Sequence, residues 1–346
     1  MEIEPIFENK EKENNFNINK KIIEDISTTI PLIEKYRPKT LSDMVSHEDI
    51  LNTINLFVEK KNIPHFLFHG PPGTGKTSCI LAVARLLYGD NFKRMTQELN
   101  ASDDRGISVI RDKIKEFCNS GLLGISNSGI KLVILDEADM MTTAAQNALR
   151  RIIEKYTKNV RFCLICNEVS RIIPAIQSRC MKFRFNPLGK NQCAERIRYI
   201  CLNENIEIEE DAIDKIIKIA KGDMRKILNI IESTYMSYGI VNLENLYSST
   251  GLPNPKQEKF IFDCIMENDF CYALDTINKF RMDNGFSMID IVNIMMQKLL
   301  IMDIDTKIMV EICSSFQKID HLCNLGGNEK IILSQVISAI NKIKGN

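Results

Sequence analysis

The stretch that decides the fold is Gly70-Pro71-Pro72-Gly73-Thr74-Gly75-Lys76-Thr77, which fits the phosphate-loop pattern G-x-x-x-x-G-K-[ST] at every fixed position. A short apolar run, Phe66-Leu67-Phe68, precedes it as a buried strand would, and Ser78 to Leu87 follows with the apolar spacing of a helix. Glycines let backbone N–H groups turn toward an anion, and the start of the helix adds its positive dipole end. Strand, glycine-rich turn and helix together predict a site for the phosphates of a nucleoside triphosphate.

The residues of this loop suggest how such a ligand would be held. Lys76 can reach the β- and γ-phosphates, and the Thr77 hydroxyl can bind Mg²⁺. A chance glycine-rich turn is the alternative, but the strand before the loop and the helix after it disfavour that interpretation. The predicted binding residues are Gly70, Pro71, Pro72, Gly73, Thr74, Gly75, Lys76, Thr77 and Ser78.

A second signal is the stretch Lys131-Leu132-Val133-Ile134-Leu135-Asp136-Glu137-Ala138-Asp139. Its apolar run predicts a buried parallel strand, and carboxylates follow at the carboxyl end, where α/β sheets bind their ligands. We assign Asp136 to the metal ion, which it can hold beside a phosphate loop. We assign Glu137 to polarising an attacking water. A capped strand end without chemistry is the alternative.

Two further polar residues stand where ligand contacts are expected. The run from Arg161 to Cys166 indicates another buried strand, and it ends in Asn167. If that strand lies beside the Asp136 strand, the Asn167 amide can hydrogen-bond a γ-phosphate or the attacking water. Arg225 falls in the first turn of a predicted helix, where the helix dipole disfavours a cation. A role toward a ligand therefore competes there with that of a solvated side chain.

Composition limits the classes of function. The chain has 346 residues, which favours two or three domains, and its formal net charge is zero. Nucleic-acid contacts must therefore come from local basic patches, since there is no global positive field. No apolar run is long enough to span a bilayer, and the start, Met1-Glu2-Ile3-Glu4-Pro5, does not fit a signal peptide. We expect no membrane partner.

The cysteines argue against a metal or redox centre. Eleven are scattered through predicted helices and strands, which favours free buried thiols in a reducing compartment. Cys163 and Cys166 have C-x-x-C spacing, but they fall in a predicted strand. Residues three apart in a strand point to opposite faces, so this pair is not expected to act together.

Composition and periodicity divide the chain into four parts. Residues 1–30 predict a flexible tail, 31–188 an α/β domain, 189–250 a small helical domain and 251–346 a second all-helical domain. A helix is predicted over 141–156, where Thr143 and Gln146 have capping-box spacing.

Two segments leave alternatives open on residue type alone. The prolines in Pro31 to Thr40 fix an extended path. Such a path suits either one wall of a nucleotide-base pocket or a segment that only lies across the surface. Arg105 and Arg111 fall within about two turns at the start of a predicted helix, where composition favours a solvated basic face.

Several motifs occur in one order and carry a resemblance. They are Glu34-Lys35-Tyr36-Arg37-Pro38, the phosphate loop, Leu99-Asn100-Ala101-Ser102-Asp103-Asp104-Arg105-Gly106, Asp136-Glu137-Ala138-Asp139, Gln146-Asn147-Ala148-Leu149-Arg150-Arg151 and Ser178-Arg179-Cys180. With them the chain closely resembles the small subunits of the eukaryotic and archaeal clamp loader, replication factor C. The motifs cover about residues 31–250, and beyond them the resemblance rests on length and the all-helical pattern.

The resemblance implies an AAA+ ATPase: a P-loop α/β module with a parallel sheet and helices on both faces, an all-α lid, and an all-α collar that joins subunits into a pentameric ring. It implies that Ile33 and Val45 lie near the adenine of ATP, and that Asn167 and Arg225 are the two sensors facing the γ-phosphate. Arg179 would be an arginine finger acting on ATP held by the neighbouring subunit.

The resemblance also implies partners. Arg105, Arg111 and Arg171 would face the phosphates of primer-template DNA, which reverses the interpretation of the first two as a solvated face. The other partners would be replication factor C subunits and the sliding clamp, in the nucleus. The loop from Asn119 to Gly129 is a candidate clamp contact.

Two functions follow as hypotheses. In the first, the chain is an ATP-hydrolysing subunit that helps load the sliding clamp onto primer-template DNA in replication and repair. In the alternative, it holds ATP as a structural ligand in a clamp-loader-like complex, such as a checkpoint loader, and acts mainly by donating Arg179.

Overall fold

A computed structural model describes residues 30–44, 46–60, 62–102, 107–119 and 129–341. For 107–111 it describes the helical backbone alone. The chain forms two compact units, one up to Glu232 and one from Ser233. Val45, Arg105, nearly all of the predicted tail and most of the candidate clamp loop lie outside the described residues.

The first unit is built on one sheet whose paired strands are all parallel. The five strands found in the described residues follow the spatial order β2-β3-β4-β1-β5. The strands are β1 (Phe66–His69), β2 (Thr96–Asn100), β3 (Lys131–Asp136), β4 (Val160–Cys166) and β5 (Met181–Arg184). Because parallel strands end at a common edge, the phosphate loop after β1, Glu137 after β3 and Asn167 after β4 meet there.

Helices cover both faces of this sheet, as predicted. They are α1 (Leu32–Lys35), α2 (Glu48–Glu59), α3 (Lys76–Tyr88), α4 (Phe92–Met95), α5 (Ile107–Asn119), α6 (Thr143–Tyr156) and α7 (Pro174–Gln177). Side chains alternate along β1: Phe66 and Phe68 are buried in the core that includes α2 and α3, and Leu67 is buried in the core that includes α6. Burial on both faces explains why the central strands are continuous apolar runs rather than alternating ones.

The start of α6 differs from the sequence prediction. Thr142, not Thr143, caps the helix, because its Oγ1 accepts a hydrogen bond from the Ala145 N–H at 3.3 Å. Gln146 is buried instead, and its amide donates to the carbonyls of Met141 at 3.1 Å and Arg171 at 2.9 Å. Gln146 therefore fixes the segment after β4 rather than capping a helix.

Helices alone follow the sheet, also as predicted. Three begin in the first unit: α8 (Lys190–Glu204), α9 (Glu210–Ala220) and α10 (Met224–Tyr238). Gly222, with φ +82°, allows the turn before α10 to lie against the segment before α8, where a Cβ would come within 2.9 Å of Leu188 backbone atoms. The Leu188 N–H donates to the Gly222 carbonyl at 3.3 Å.

The second unit is helical throughout its described residues. After the end of α10 it contains α11 (Leu243–Thr250), α12 (Pro255–Glu267), α13 (Phe270–Asn284), α14 (Met288–Ile301), α15 (Thr306–Asn324) and α16 (Glu329–Asn341). One apolar core joins α12 to α16, and its fully buried members include Ile261, Ile277, Met295, Leu333 and Ile337. Helices alone were predicted for this part of the chain, and helices alone make up its described regular structure.

Candidate active site

The phosphate loop depends on glycine at two tight positions. Gly70 has φ +144°, and a Cβ there would lie 2.0 Å from the Phe185 carbonyl oxygen. Gly73 has φ +67°, and a Cβ there would lie 1.7 Å from Oδ1 of Asp223, which precedes α10. The loop is therefore closely fitted between the sheet edge and the start of α10, as a backbone cradle for an anion requires.

Lys76 is buried at the mouth of this loop. Its Nζ donates to the Gly70 carbonyl at 2.7 Å, the Pro71 carbonyl at 2.8 Å and Asn167 Oδ1 at 3.1 Å. Burial lowers the pKa of Lys76, and the nearby Asp136 carboxylate opposes that shift. The structure thus joins Lys76 to Asn167, two residues predicted separately.

Thr77 and Asp136 also meet at this edge. The Thr77 hydroxyl donates to Asp136 Oδ2 at 2.9 Å, and the other carboxylate oxygen accepts from the Glu137 N–H at 2.9 Å. Hydroxyl and carboxylate oxygens beside a phosphate site are the donors that Mg²⁺ takes in proteins, where it keeps waters and substrate oxygens as further ligands. These two residues therefore fit the predicted ion.

Glu137 adopts the left-handed conformation, with φ +53°. For a residue with a side chain this conformation costs energy, about 1 kcal/mol or more, and such residues concentrate at functional sites. The turn follows Asp136 directly, and both residues line the same cleft as the phosphate loop. Glu137 therefore faces the same space as Lys76 and Thr77.

Asp139 is a site residue that the sequence interpretation missed. Its Oδ2 accepts hydrogen bonds from the backbone N–H groups of Asn167 at 3.1 Å and Glu168 at 3.2 Å. The carboxylate therefore fixes the turn that carries the Asn167 amide. Its place in Asp136-Glu137-Ala138-Asp139 was visible, but the partner lies 28 residues away in sequence.

We expect Asp139→Ala to lower kcat for ATP hydrolysis by about tenfold with little change in KM, because misplacing a group near the reacting atoms costs rate more than binding. Asp139→Asn keeps one acceptor oxygen and should recover part of the loss. Steady-state kinetics of the assembled complex would measure both. A rise in KM at constant kcat would contradict this role and assign Asp139 to ground-state binding.

The cleft extends from the phosphate loop between the first helix and the helices after the sheet. Its apolar lining includes Ile33, Met44, Leu188, Ile200 and Leu228, and its charged lining includes Arg196 and Arg225. The segment 31–38, which we call the strap, contributes Ile33, Tyr36 and Pro38. The strap thus forms one wall of the cleft, as the first interpretation of this segment expects, and that the cleft holds a nucleotide base stays a prediction.

The start of α10 contacts the phosphate loop directly. The Met224 N–H donates to the Gly73 carbonyl at 3.3 Å. Asp223 Oδ1 accepts from the N–H groups of Arg225 at 2.9 Å and Lys226 at 3.3 Å, as an N-cap does. Arg225 is therefore brought to the cleft by the first turn of α10, and the cap is a second residue that the sequence interpretation missed.

Three family models match the chain in order. They are the ATPase family associated with various cellular activities at residues 66–188, the RFC1-like AAA+ ATPase lid domain at 190–239 and the replication factor C C-terminal domain at 253–339. Replication factor C subunit 3 of Schizosaccharomyces pombe is 44% identical over 90% of this chain and 91% of its own length. Replication factor C subunit 5 of Homo sapiens is 45% identical over the same shares of the two chains.

The chain belongs to the replication factor C family. It is therefore an AAA+ ATPase and a clamp-loader subunit, and the resemblance drawn from its motifs is confirmed. The residues in the motifs favour the small-subunit type numbered third in yeast and fifth in human. The two relatives above are a subunit 3 from a yeast and a subunit 5 from human. The fold is also similar to that of the Thermotoga maritima RuvB Holliday junction branch migration motor, with TM-score 0.50, 16% identity, and coverage of 70% of this chain and 85% of the other.

Within the replication factor C fold, Arg179 lies outside the residues that line the cleft. Its guanidinium pairs with Glu154 at 2.6 Å, and Glu154 also lies 3.8 Å from Arg150. The side chains of Arg179 and Glu154 are 37% and 43% exposed, so the pair is open to solvent. An exposed arginine beyond its own cleft is available to a second molecule.

The predicted DNA-facing arginines are only partly described. Arg171 is exposed and pairs with Glu168 at 2.8 Å. Arg111 lies in α5, of which only the backbone is described at that point, and Arg105 lies outside the described residues. Their joint arrangement stays a prediction.

Seven of the eleven cysteines are buried, as the sequence predicts, and four are not. All eleven cysteines are free. Cys163 and Cys166 are buried in the cores on opposite faces of the sheet, and burial raises the pKa of Cys166 to about 12. Among the described residues, no group of three or more His, Cys, Asp or Glu side chains could hold a metal ion. Within that same part of the chain, no helix has the length and apolar character needed to cross a membrane.

Proposed function

We propose that this chain hydrolyses ATP at its own site, as one subunit of a hetero-oligomeric ring that loads the sliding clamp onto primer-template DNA. The observation that carries the proposal is the convergence of Lys76, Thr77, Asp136, Glu137 and Asn167 on one edge of the sheet. A chain that only stored ATP would need the loop, but it would not need a carboxylate and an amide facing the same space.

Each residue has a distinct role in this proposal. The loop N–H groups and Lys76 bind and neutralise the phosphates. Mg²⁺, held through Thr77 and Asp136, would supply further positive charge beside the phosphates. Glu137 accepts a hydrogen bond from the attacking water and orients it, and the Asn167 amide fixes the same water or the γ-phosphate. Arg225 brings a guanidinium from α10 to the γ-phosphate. The position of the lid helices would then depend on whether the bound nucleotide is a triphosphate or a diphosphate.

The apolar lining of the cleft suits the base. Ile33, Ile200 and Leu228 offer apolar surface there, and we propose that they hold the adenine ring. Val45 was predicted to join them and lies outside the described residues. We also keep the division into a tail at 1–30, an ATPase domain at 31–188, a lid at 189–250 and a collar at 251–346 as a proposal.

We further propose that Arg179 acts on ATP bound by the neighbouring subunit. A guanidinium that leaves Glu154 for a γ-phosphate stabilises transition-state charge only when two subunits are docked. Hydrolysis would then depend on assembly. The partners we propose are the other replication factor C subunits, the clamp and primer-template DNA, in the nucleus.

DNA contact is proposed for Arg105, Arg111 and Arg171. With zero net charge, the chain can track a phosphate backbone only through a few well-placed cations. We expect Arg105→Ala with Arg111→Ala to weaken DNA stimulation of the ATPase and to lower the salt slope of DNA binding by about two. ATPase without DNA should change little, and an equal loss of basal ATPase would indicate misfolding instead.

The proposed function is tested by ATP turnover of the purified chain, alone and mixed with the other clamp-loader subunits, with and without primer-template DNA and clamp. We expect very slow ATP turnover by the chain alone and strong stimulation of turnover in the mixture. Rapid turnover by the chain alone, unchanged by DNA and clamp, would contradict the proposed function.

The clamp contact proposed for the loop 119–129 is tested by deleting the loop, which should weaken clamp binding and leave nucleotide binding unchanged.

A further inference from the structure

Two carboxylates of the helices after the sheet hold the strap. Glu232 of α10 accepts a hydrogen bond from the Leu32 N–H, with distances of 3.2 and 3.3 Å to its two oxygens. Glu204, the last residue of α8, lies 2.8 Å from Lys35 Nζ and accepts a hydrogen bond from the Tyr36 hydroxyl. Neither glutamate belongs to a recognised motif or to the predicted site.

A third contact points the same way. Arg196 of α8 donates to the Tyr36 carbonyl at 3.2 Å, and it also lines the cleft. In the described part of the chain, the side-chain hydrogen bonds and ion pairs that tie the strap to other elements go to α8 and α10. The strap is therefore joined to the lid helices rather than to the sheet.

The electrostatics make the contact to Glu204 durable at neutral pH. Burial and the nearby Glu204 raise the pKa of Tyr36, so its hydroxyl keeps the proton that it donates. Burial raises the pKa of Glu204, but the hydrogen bonds from Lys35 and Tyr36 outweigh burial and lower it. The Glu204 carboxylate therefore stays charged and the Tyr36 hydroxyl stays protonated. A hydrogen bond to a charged group is stronger than one between neutral groups.

The place of the strap in the cleft determines what these contacts can affect. Ile33 and Tyr36 line the cleft together with Ile200 and Leu228, whereas the phosphates belong to the loop that contains Lys76. In the described residues, the side-chain hydrogen bonds and ion pairs from the strap to other elements do not go to the phosphate loop, so a displaced strap should open the apolar lining and leave the loop in place. Its position therefore bears on the base end of the ligand.

We propose that Glu204 and Glu232 are positioning residues that set the affinity for the base end of the nucleotide by holding the strap against the lid helices. The inference rests on the proposed function, in that the cleft must hold a nucleoside triphosphate. It goes beyond that function in assigning two residues that do not touch the ligand themselves.

The test compares two ligands that share the phosphates but differ in the base. Binding of ATP and of inorganic tripolyphosphate, each with Mg²⁺, is measured by calorimetry on the full chain. Glu204→Ala is expected to weaken ATP binding about tenfold, the cost of a hydrogen bond to a charged group, and to change tripolyphosphate binding by less than about twofold. Glu204→Gln keeps an acceptor oxygen and should give a smaller loss, and Glu232→Ala should resemble Glu204→Ala.

Two further variants separate positioning from general damage. Tyr36→Phe removes only the hydroxyl, and its effect should not add to that of Glu204→Ala, because both break one contact. This variant also serves if Glu204→Ala fails to fold. Glu207→Gln, an exposed carboxylate three residues beyond Glu204, is the matched control and should bind ATP as the unmodified chain does.

The outcomes are distinct. Unchanged ATP affinity in the Glu204 and Tyr36 variants would overturn the inference, and so would an equal loss for both ligands, which would indicate damage to the whole cleft. Equal affinity of the unmodified chain for ATP and tripolyphosphate would overturn it as well, since the base end would then contribute nothing. Failure of the unmodified chain to bind either ligand would instead contradict the proposed function.

Discussion

Arg179→Ala is expected to lower DNA-stimulated ATP turnover at the neighbouring subunit's site by about 10³-fold, because an arginine supplied across an interface contributes 10³ to 10⁵ in rate. ATP binding by this chain alone should not change, since Arg179 lies outside the lining of its own cleft. The fold should also survive, because the exposed pair with Glu154 is worth at most about 1 kcal/mol. Single-turnover measurements on the assembled complex would report the rate.

Three controls sharpen that experiment. Arg179→Lys should not restore the rate, because an ammonium lacks the planar fork of donors that a guanidinium directs at a phosphate. Glu154→Ala removes the ion-pair partner of Arg179 and keeps the guanidinium, so turnover should persist. Arg94→Ala, at an exposed position in α4, removes a similar charge away from this edge of the sheet and should not change the rate. Loss of ATP binding by the lone Arg179→Ala chain would contradict action across an interface.

Glu137→Gln is expected to slow hydrolysis at this chain's own site by about 10²- to 10³-fold, in the range for loss of a general base. ATP should still bind, because the loop, Lys76 and Thr77 are untouched. The measurement is the fraction of ATP that remains intact on this subunit when the assembled complex, with DNA and clamp, is quenched after one turnover time. Glu59→Gln, at the exposed end of α2, is the matched control.

The same measurement decides between the two candidate functions. If Glu137→Gln leaves the DNA-stimulated rate of the complex unchanged, this subunit holds ATP as a structural ligand and mainly donates Arg179. Accumulation of unhydrolysed ATP at this subunit would support turnover at its own site.

Much of the fold followed from local patterns. The phosphate loop, the apolar run before Asp136 and the change to helices after residue 188 all predicted the element types that the structure has. These features depend on a few neighbouring residues: glycines that allow positive φ, apolar runs buried on two faces, and helical spacing. The predicted cap of α6 was wrong because Thr142 and Thr143 are equally good caps in sequence. Only the packed position of Gln146, whose amide bonds the Arg171 carbonyl, identifies Thr142 as the cap.

The sequence by itself therefore determined the AAA+ class of this chain, its phosphate loop and the carboxylates after β3. Tertiary structure alone decided which of these residues meet. Strand order sets β4 between β1 and β3, so Asn167 comes within 3.1 Å of Lys76, 91 positions earlier, and Asp139 fixes the turn that carries it. Glu204 reaches Tyr36 across 168 positions. Local sequence patterns do not predict such pairs. Each pair depends on how whole helices and strands pack, rather than on the residues next to it in sequence.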